Sequence, residues 1–309
     1  MSPDAGTVTE VDGKRLTLTN LDKVLYPDAG FTKGDVISYY VRIAPVLLPH
    51  LQGRPVTFVR FPDGVDGQSF FEKRVPKRAP EWLRSIDVPS GRRAQEGRAS
   101  AGQRVPIHAP AIGDLPSLVW AANRAALELH VPLWRSTHPA EYGPFDQMVF
   151  DLDPGAPATI VDCCRVAALL VPSLAEAGHA TVLAKTSGSK GLQLYVPLDP
   201  ARPGGSVRED ARAFAAAAER AHGDLVVSNM RRHLRPGKVF IDWSQNVPAK
   251  TTVAAYSLRA RAWPTVSTPV TMDEVAACAE AGDPDLLRFV APDVLDRVER
   301  LGDLFARGR

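Results

Sequence analysis

The sequence predicts an α/β protein of the mixed, α+β kind, in which helices lie on a mixed sheet. Three observations predict it. Short apolar runs bounded by turn residues alternate with longer, capped segments of helical period. Some of those runs are joined by tight turns and others by helices, which argues against a uniform parallel stack. The chain is also long enough to bury a sizeable core, with 309 residues, 45% hydrophobic and 23% charged. Such a composition excludes intrinsic disorder. The longest apolar run, near Val166–Val171, stops at Pro172, well short of the roughly 18 residues of a membrane span. Met1-Ser2-Pro3-Asp4 carries no basic segment followed by an apolar one, so neither a secretory leader nor a membrane location is expected.

Taken in order, residues 1–8 read as a flexible tail and 9–309 as a single domain. Its N-terminal part runs over 9–110, and its core with C-terminal helices over 111–309. Thr9–Val11 and Lys14–Thr19 flank Asp12-Gly13, a dipeptide that favours a type I′ hairpin turn. Thr32 caps a helix through Val36, Ile37, Tyr40, Val41 and Ala44, with Asp35 placed for a capping box. Pro55–Phe61 and Ser69–Lys73 read as strands around Pro62-Asp63-Gly64. Residues 76–110 are basic and rich in Pro and Gly, which predicts irregular structure or short strands. Asp114 is expected to cap a helix that continues through Leu118, Ala122, Ala125 and Leu129 and ends before His130.

The second half alternates more regularly. Gln147–Leu152 is a strand that ends in Asp153-Pro154-Gly155. Thr159–Gly178 is a helix closed by its glycine. Ala180–Lys185 and Gly191–Pro197 are strands around the polar turn Thr186–Lys190. Ser206 is expected to cap an Ala-rich helix to His222. Lys238–Trp243 and Thr251–Tyr256 read as strands, and Met272–Ala281 and Pro292–Ala306 as closing helices.

Lys+Arg 37 against Asp+Glu 35 leaves a net charge of +2, so any polyanion surface must come from placement rather than from the total. The placement is uneven. Arg231, Arg232, Arg235, Lys238, Lys250, Arg259 and Arg261 are opposed in their stretch only by Asp242. A second stretch holds Lys73, Arg74, Lys77, Arg78, Arg84, Arg92, Arg93, Arg98 and Arg104. The closing helices are acidic. A basic half facing a polyanion accounts for this, and so does ordinary solvated surface. Cys163, Cys164 and Cys278 form neither a disulfide framework nor a metal knuckle and read as small buried residues in a reducing cytoplasm.

Three features carry chemistry. Asp151-Leu152-Asp153 follows the apolar Met148-Val149-Phe150, and residues two apart on a strand share a face. A hard divalent cation such as Mg²⁺ or Mn²⁺ would let both carboxylates stay ionised. A turn in which one Asp bonds the backbone is the plainer reading. Asp242 likewise ends an apolar strand, Lys238-Val239-Phe240-Ile241, where a carboxylate needs a metal or a partner such as a nearby arginine. Three carboxylates on two adjacent strands could hold two metals about 3.5–4 Å apart, the arrangement used in phosphoryl transfer. Thr186-Ser187-Gly188-Ser189-Lys190-Gly191 between strands could cradle an anion with its N–H groups and Lys190. It lacks the residue order of a P-loop.

Together these motifs resemble the polymerase domain of bacterial ATP-dependent DNA ligase D, of the archaeo-eukaryotic primase superfamily. The resemblance rests on Phe150–Gly155, Lys185–Leu192, Val239–Asn246 and Tyr256–Arg259. It extends to Leu18–Pro27, Phe70–Lys73 and Leu127–Arg135, and covers nearly the whole chain in order. It implies a primase-polymerase-like core of mixed, largely antiparallel sheets flanked by helices. It implies a DNA-directed nucleotidyltransferase that adds NTP or dNTP to a primer 3′-hydroxyl, with gap filling and end processing in non-homologous end joining. Asp151, Asp153 and Asp242 are then the ligands of two Mn²⁺ or Mg²⁺ ions. Ser187, Lys190 and Arg259 contact the triphosphate, and His130 stands near the catalytic centre. Lys23 and Lys33 grip a 5′-phosphate, and the Phe70-Phe71 pair supplies an aromatic that stacks on DNA. The implied partners are DNA ends, Ku and a separate ATP-dependent ligase, and the implied location is the cytoplasm, at the nucleoid.

Two departures qualify the resemblance. Where the family pattern has His after Ser-Gly-Ser-Lys-Gly-Leu, this chain has Gln193. A glutamine amide gives a triphosphate only a neutral hydrogen bond, about half as strong as a charge-assisted one. The alternative expectation is therefore a DNA-end-binding scaffold with weak or no catalysis. No Lys-x-Asp-Gly motif follows, so sealing is expected from another protein.

Overall fold

The structure is a computed structural model and describes residues 6–89 and 106–306. Arg92, Arg93, Arg98 and Arg104 of the second basic stretch lie outside the described residues, as does most of the 1–8 tail. The chain divides into two compact units, Met1–Gly143 with Ala260–Pro264, and Pro144–Arg259 with Thr265–Arg309.

The first unit opens with an antiparallel hairpin of β1 (Thr7–Val11) and β2 (Lys14–Leu18). Asp12 and Gly13 between them have φ of 45° and 73°, the two positive values that a type I′ turn requires. β3 (Val24–Tyr26) and β4 (Phe31–Thr32) lead into α1 (Lys33–Leu51). Thr32 and Asp35 close the expected capping box, and Val36, Ile37, Tyr40, Ile43 and Leu47 form the helix's buried face. β5 (Thr57–Arg60) and β6 (Phe70–Glu72) pair antiparallel, and β7 (Ser85–Val88) pairs with β8 (Ile107–Pro110).

α2 (Leu115–Asn123) is capped by Asp114 as expected but stops well before Leu129. Ala126–Val131 is instead a strand, β9, paired antiparallel with β5. The helix ends because Ala125 takes φ 56°, a left-handed conformation that breaks the helical path. Beyond it Leu127, Leu129 and Val131 recur every second residue, the period of a strand rather than of a helix. All three are buried.

In the second unit β10 (Phe145–Pro154), α3 (Ile160–Glu176), β11 (Leu183–Thr186) and β12 (Leu192–Arg202) follow one another. Next come α4 (Gly204–Ala221), β13 (Val226–Val227), β14 (Val239–Asp242), β15 (Thr252–Val253) and β16 (Pro269–Val270). α5 (Met272–Ala281) and α6 (Ala291–Leu301) close the chain. Six strands form one sheet in the order β13-β14-β10-β12-β11-β16. Every neighbouring pair is antiparallel except β13 and β14. The mixed, mainly antiparallel α/β class is thus the observed one.

Some boundaries moved. α4 starts at Gly204, two residues before Ser206, whose hydroxyl bonds the Pro203 carbonyl instead of capping. Only Thr252–Val253 of the expected 251–256 strand is extended in a ladder. α6 ends at Leu301, followed by Gly302 with φ 67°. The three cysteines are free and buried, as expected. Among the described residues no helix is long and apolar enough to cross a membrane.

One face of the second unit's sheet packs against helices, as β10 shows. Met148, Phe150 and Leu152 are fully buried, and Phe150 meets Phe214 of α4 edge-on at 6.0 Å. Asp151 and Asp153 alternate with them and so point to the opposite face.

Candidate active site

Strand register builds the site. Asp151 is directly opposed to Asp242 on one side and to Gln193 on the other. Gln193 is in turn opposed to Lys185. Directly opposed residues share a face, so Asp242, Asp151, Gln193 and Lys185 form one row across four strands. Asp153, two residues along β10, lies on the same face.

Asp242 stands opposite Asp151 because Asn246 ties the turn after β14 to β10. Its side-chain oxygen accepts from Val149 N–H at 2.9 Å, and its amide nitrogen donates to Val149 O at 2.7 Å and Trp243 O at 2.9 Å. Asn246 is wholly buried. The Asp242 carboxylate accepts from Ser244 N at 3.0 Å, Ser244 Oγ at 2.5 Å and Gln245 Nε2 at 2.9 Å. Lys250 Nζ donates to Ser244 Oγ at 2.6 Å.

Across the row, Gln193 Nε2 donates to Asp151 Oδ1 at 3.0 Å. Lys185 Nζ donates to Gln193 Oε1 at 2.5 Å and Ser267 Oγ at 2.7 Å. Lys185 is 1% exposed, and burial holds its ammonium well below the usual lysine range. Asp151 is half-buried. Burial, together with the charges of Asp153 and Asp242, pushes its carboxyl up to about 6 despite the Gln193 bond.

The glycine turn lies at the β11–β12 connection. Ser187 N donates to Gly191 O at 2.8 Å, and the Ser187 hydroxyl accepts from Gly191 N at 3.1 Å and Ser189 N at 3.3 Å. Ser187 therefore shapes the turn itself. Gly188 has φ 66°, and a Cβ there would come within 2.6 Å of Arg259 Cγ. Arg259 donates to the Ser187 carbonyl. Lys190 lies exposed at the tip, with its ammonium 3.1 Å from Pro154 O. Lys190 thus belongs to the turn that follows Lys185, and Arg259 is bonded to that turn from a distant segment.

The donor chemistry of the carboxylates fits a hard divalent cation. They are three oxygen donors on one face, and Asp151 is raised first by burial and then by the charges of Asp153 and Asp242, both of which a cation would offset. As they stand, no three His, Cys, Asp or Glu side chains among the described residues are grouped to hold a metal ion. Asp151 accepts from Gln193, and both Asp242 oxygens accept from the Ser244–Gln245 turn, so hydrogen bonds orient the two facing carboxylates.

The first unit carries the other expected residues. His130 on β9 is hydrogen-bonded through Nε2 to Glu128 at 2.8 Å, and Glu128 also accepts from Ala260 N at 3.0 Å. Phe71, 62% exposed, has its ring centroid 6.1 Å from that of His130. Phe70 is 45% exposed, so both members of the aromatic pair lie on the surface rather than in the core. Lys23 and Lys33 are brought together, Lys33 N bonding Lys23 O at 2.8 Å. Lys23 pairs with Asp63 at 2.8 Å. Lys33 is buried and donates to Thr19 O and Thr19 Oγ1. Burial, then the charges of Lys23 and Arg60, lower its ammonium to about 8.

Sequence reasoning assigned no role to Lys185, Asn246, Ser244 or Glu128. A lysine inside the otherwise uncharged run Leu183-Ala184-Lys185-Thr186 was the available signal for the first, and Glu128 among the apolar residues of β9 for the last.

The LigD primase-polymerase domain model matches residues 32–305. The chain is 43% identical over 295 residues to the multifunctional non-homologous end joining protein LigD of Mycolicibacterium smegmatis, covering 95% of this chain and 36% of that one. It is 31% identical to the bifunctional LigD of Bacillus subtilis, over 93% of this chain and 43% of that one. It therefore spans well under half the length of these relatives. Among solved structures, the polymerase domain of Mycobacterium tuberculosis ligase D in complex with DNA superposes with a TM-score of 0.83 at 42% identity, covering 94% of this chain and 96% of that one. With its motifs in order on a matching fold, this chain belongs to the LigD primase-polymerase domain family.

Proposed function

We propose that the chain is a metal-dependent, DNA-directed nucleotidyltransferase that adds NTP or dNTP to a primer 3′-hydroxyl. The observation that carries this reading is the pairing of Asp151 with Asp242 across adjacent strands, with Asp153 on the same face. Asp151, Asp153 and Asp242 are the residues that would hold Mn²⁺ or Mg²⁺. Two such ions supply Lewis-acid activation of a hydroxyl and charge neutralisation at the leaving pyrophosphate. Lys190 and Arg259 bind the triphosphate, and the Arg259 bond to Ser187 keeps that guanidinium beside the glycine turn. Glu128 fixes the ring orientation of His130. The buried Lys33 with Lys23 receives the 5′-phosphate of a DNA end, and Phe71 offers a stacking face.

The physiological setting we infer is gap filling and end processing in non-homologous end joining, in the cytoplasm at the nucleoid. Ku and a separate ATP-dependent ligase are the proposed partners, and 9–309 is read as one catalytic domain. The names of the relatives support the end-joining setting, and the DNA-bound structural neighbour supports DNA as a partner. Primer extension on a gapped duplex with Mn²⁺ tests the reading. The Asp151→Ala chain is expected to incorporate no labelled nucleotide, and wild-type-level extension by that variant removes the mechanism.

A further inference from the structure

Each of the two facing carboxylates is reached by a lysine through one neutral side chain. On one side Lys185 Nζ donates to Gln193 Oε1, and Gln193 Nε2 donates to Asp151 Oδ1 at 3.0 Å. On the other, Lys250 Nζ donates to Ser244 Oγ at 2.6 Å, and Ser244 Oγ donates to Asp242 Oδ1. We propose that Lys185 and Lys250 are positioning residues that act through Gln193 and Ser244 to hold Asp151 and Asp242 facing one another in a cation-binding geometry. This inference rests on the nucleotidyltransferase reading and names parts of the same site that the reading leaves without a role.

Hydrogen-bond polarity carries the argument. A carboxylate only accepts, so the Gln193 amide must turn its nitrogen to Asp151 and its oxygen to Lys185. Anything at 185 that cannot donate leaves that oxygen only the longer bond from the Tyr195 hydroxyl at 3.3 Å, and the amide is held less firmly in one orientation. Lys185 is itself fixed by Ser267, whose hydroxyl accepts from the ammonium and donates to Thr186 O at 2.9 Å. Ser244 follows the same rule, with one proton to give Asp242 and lone pairs for Lys250. Both connectors therefore accept at one end and donate at the other. Imidazole has that property too, since one ring nitrogen accepts while the other donates. Gln193 can accordingly serve where a histidine would, without breaking the chain of bonds.

The test is Mn²⁺ affinity of the nucleotide-free protein, read by the electron paramagnetic resonance signal of unbound Mn²⁺. Loss of an outer partner of a metal-binding group costs about 10–100-fold in affinity, so Lys185→Met, Gln193→Leu, Lys250→Met and Ser244→Ala should each weaken Mn²⁺ by at least about tenfold. Within each pair the double variant should be no worse than the worse single, whereas Gln193→His should stay within about twofold of wild type. A lysine that acts only as a point charge repels the cation, so tighter Mn²⁺ binding in Lys185→Met or Lys250→Met overturns the proposal. Additive losses within a pair, or a wild-type chain that binds no Mn²⁺, overturn it as well. Lys250 is only half-buried, so its arm remains decisive if the Lys185 variant fails to fold. Primer extension separates the two readings: a chain that binds Mn²⁺ through these bonds and extends no primer contradicts the function and leaves the relays standing.

Discussion

Asp151 carries opposing demands at the residue scale. The proposed metal role needs it ionised, yet burial and two like charges push its carboxyl up to about 6, above the usual carboxylate range. A carboxyl raised in the folded state favours folding at pH below its unfolded value and loses that advantage as pH rises through its folded value. In cation-free buffer, Asp151→Asn should therefore melt higher than wild type at pH 8 by about 2–4 °C, the effect of roughly 1 kcal/mol. The difference should shrink toward pH 4.5, and an equal gap at both pH values would contradict the assignment. Lys33 has the complementary character. With its ammonium lowered to about 8, it is charged at pH 7 and mostly neutral at pH 9, while a 5′-phosphate stays doubly charged. Fluorescence anisotropy should show the preference for 5′-phosphorylated over 5′-hydroxyl DNA falling severalfold between those pH values. Lys33→Met should abolish the preference at both, and a preference that survives in that variant would clear Lys33 of the role.

Among the elements, β10 and the turn after β14 decide whether the carboxylates meet. Asn246 satisfies both the N–H and the C=O of Val149 in a dry environment. Asn246→Ala orphans two buried backbone groups, each worth about 1–3 kcal/mol. Chemical denaturation should show a loss of about 3 kcal/mol, and a loss below 1 would mean that water or a shifted strand replaces the amide. Many elements could be read beforehand. Asp12-Gly13 announced its turn because few dipeptides accept two positive φ values, and Thr32 with Asp35 announced α1 because capping is local chemistry. The strand β9 was not legible in the same way. Ala121, Ala122, Ala125 and Leu129 continue a helical period past Asn123, and what ends the helix is the backbone of Ala125, an alanine with no sequence signature for φ 56°. Asp151 and Asp242 stood out because a carboxylate that ends an apolar strand needs a reason. Lys185 did not, and Gln193 stood out only as a departure from the family's histidine, because their places beside Asp151 come from strand order and register across four strands.

For the whole molecule, the division into two units separates the chemistry. The carboxylate row, the glycine turn and Arg259 belong to the second unit, while His130, the exposed Phe70 and Phe71, and the Lys23–Lys33 pair belong to the first. A net charge of only +2 makes DNA affinity depend on such local groups, so binding should fall steeply with salt. Between 50 and 200 mM salt, anisotropy should report a loss of at least tenfold, and a flat response would argue against a phosphate-contacting surface. The central claim is that Asp242 and Asp151 act as one unit in nucleotidyl transfer. Its most direct test is incorporation of labelled NTP into a gapped, 5′-phosphorylated duplex with Mn²⁺, comparing wild type with Asp242→Asn at equal DNA occupancy. The account predicts extension by the wild type and none by the variant; a variant that extends at the wild-type rate, or a wild type that incorporates nothing, would contradict it.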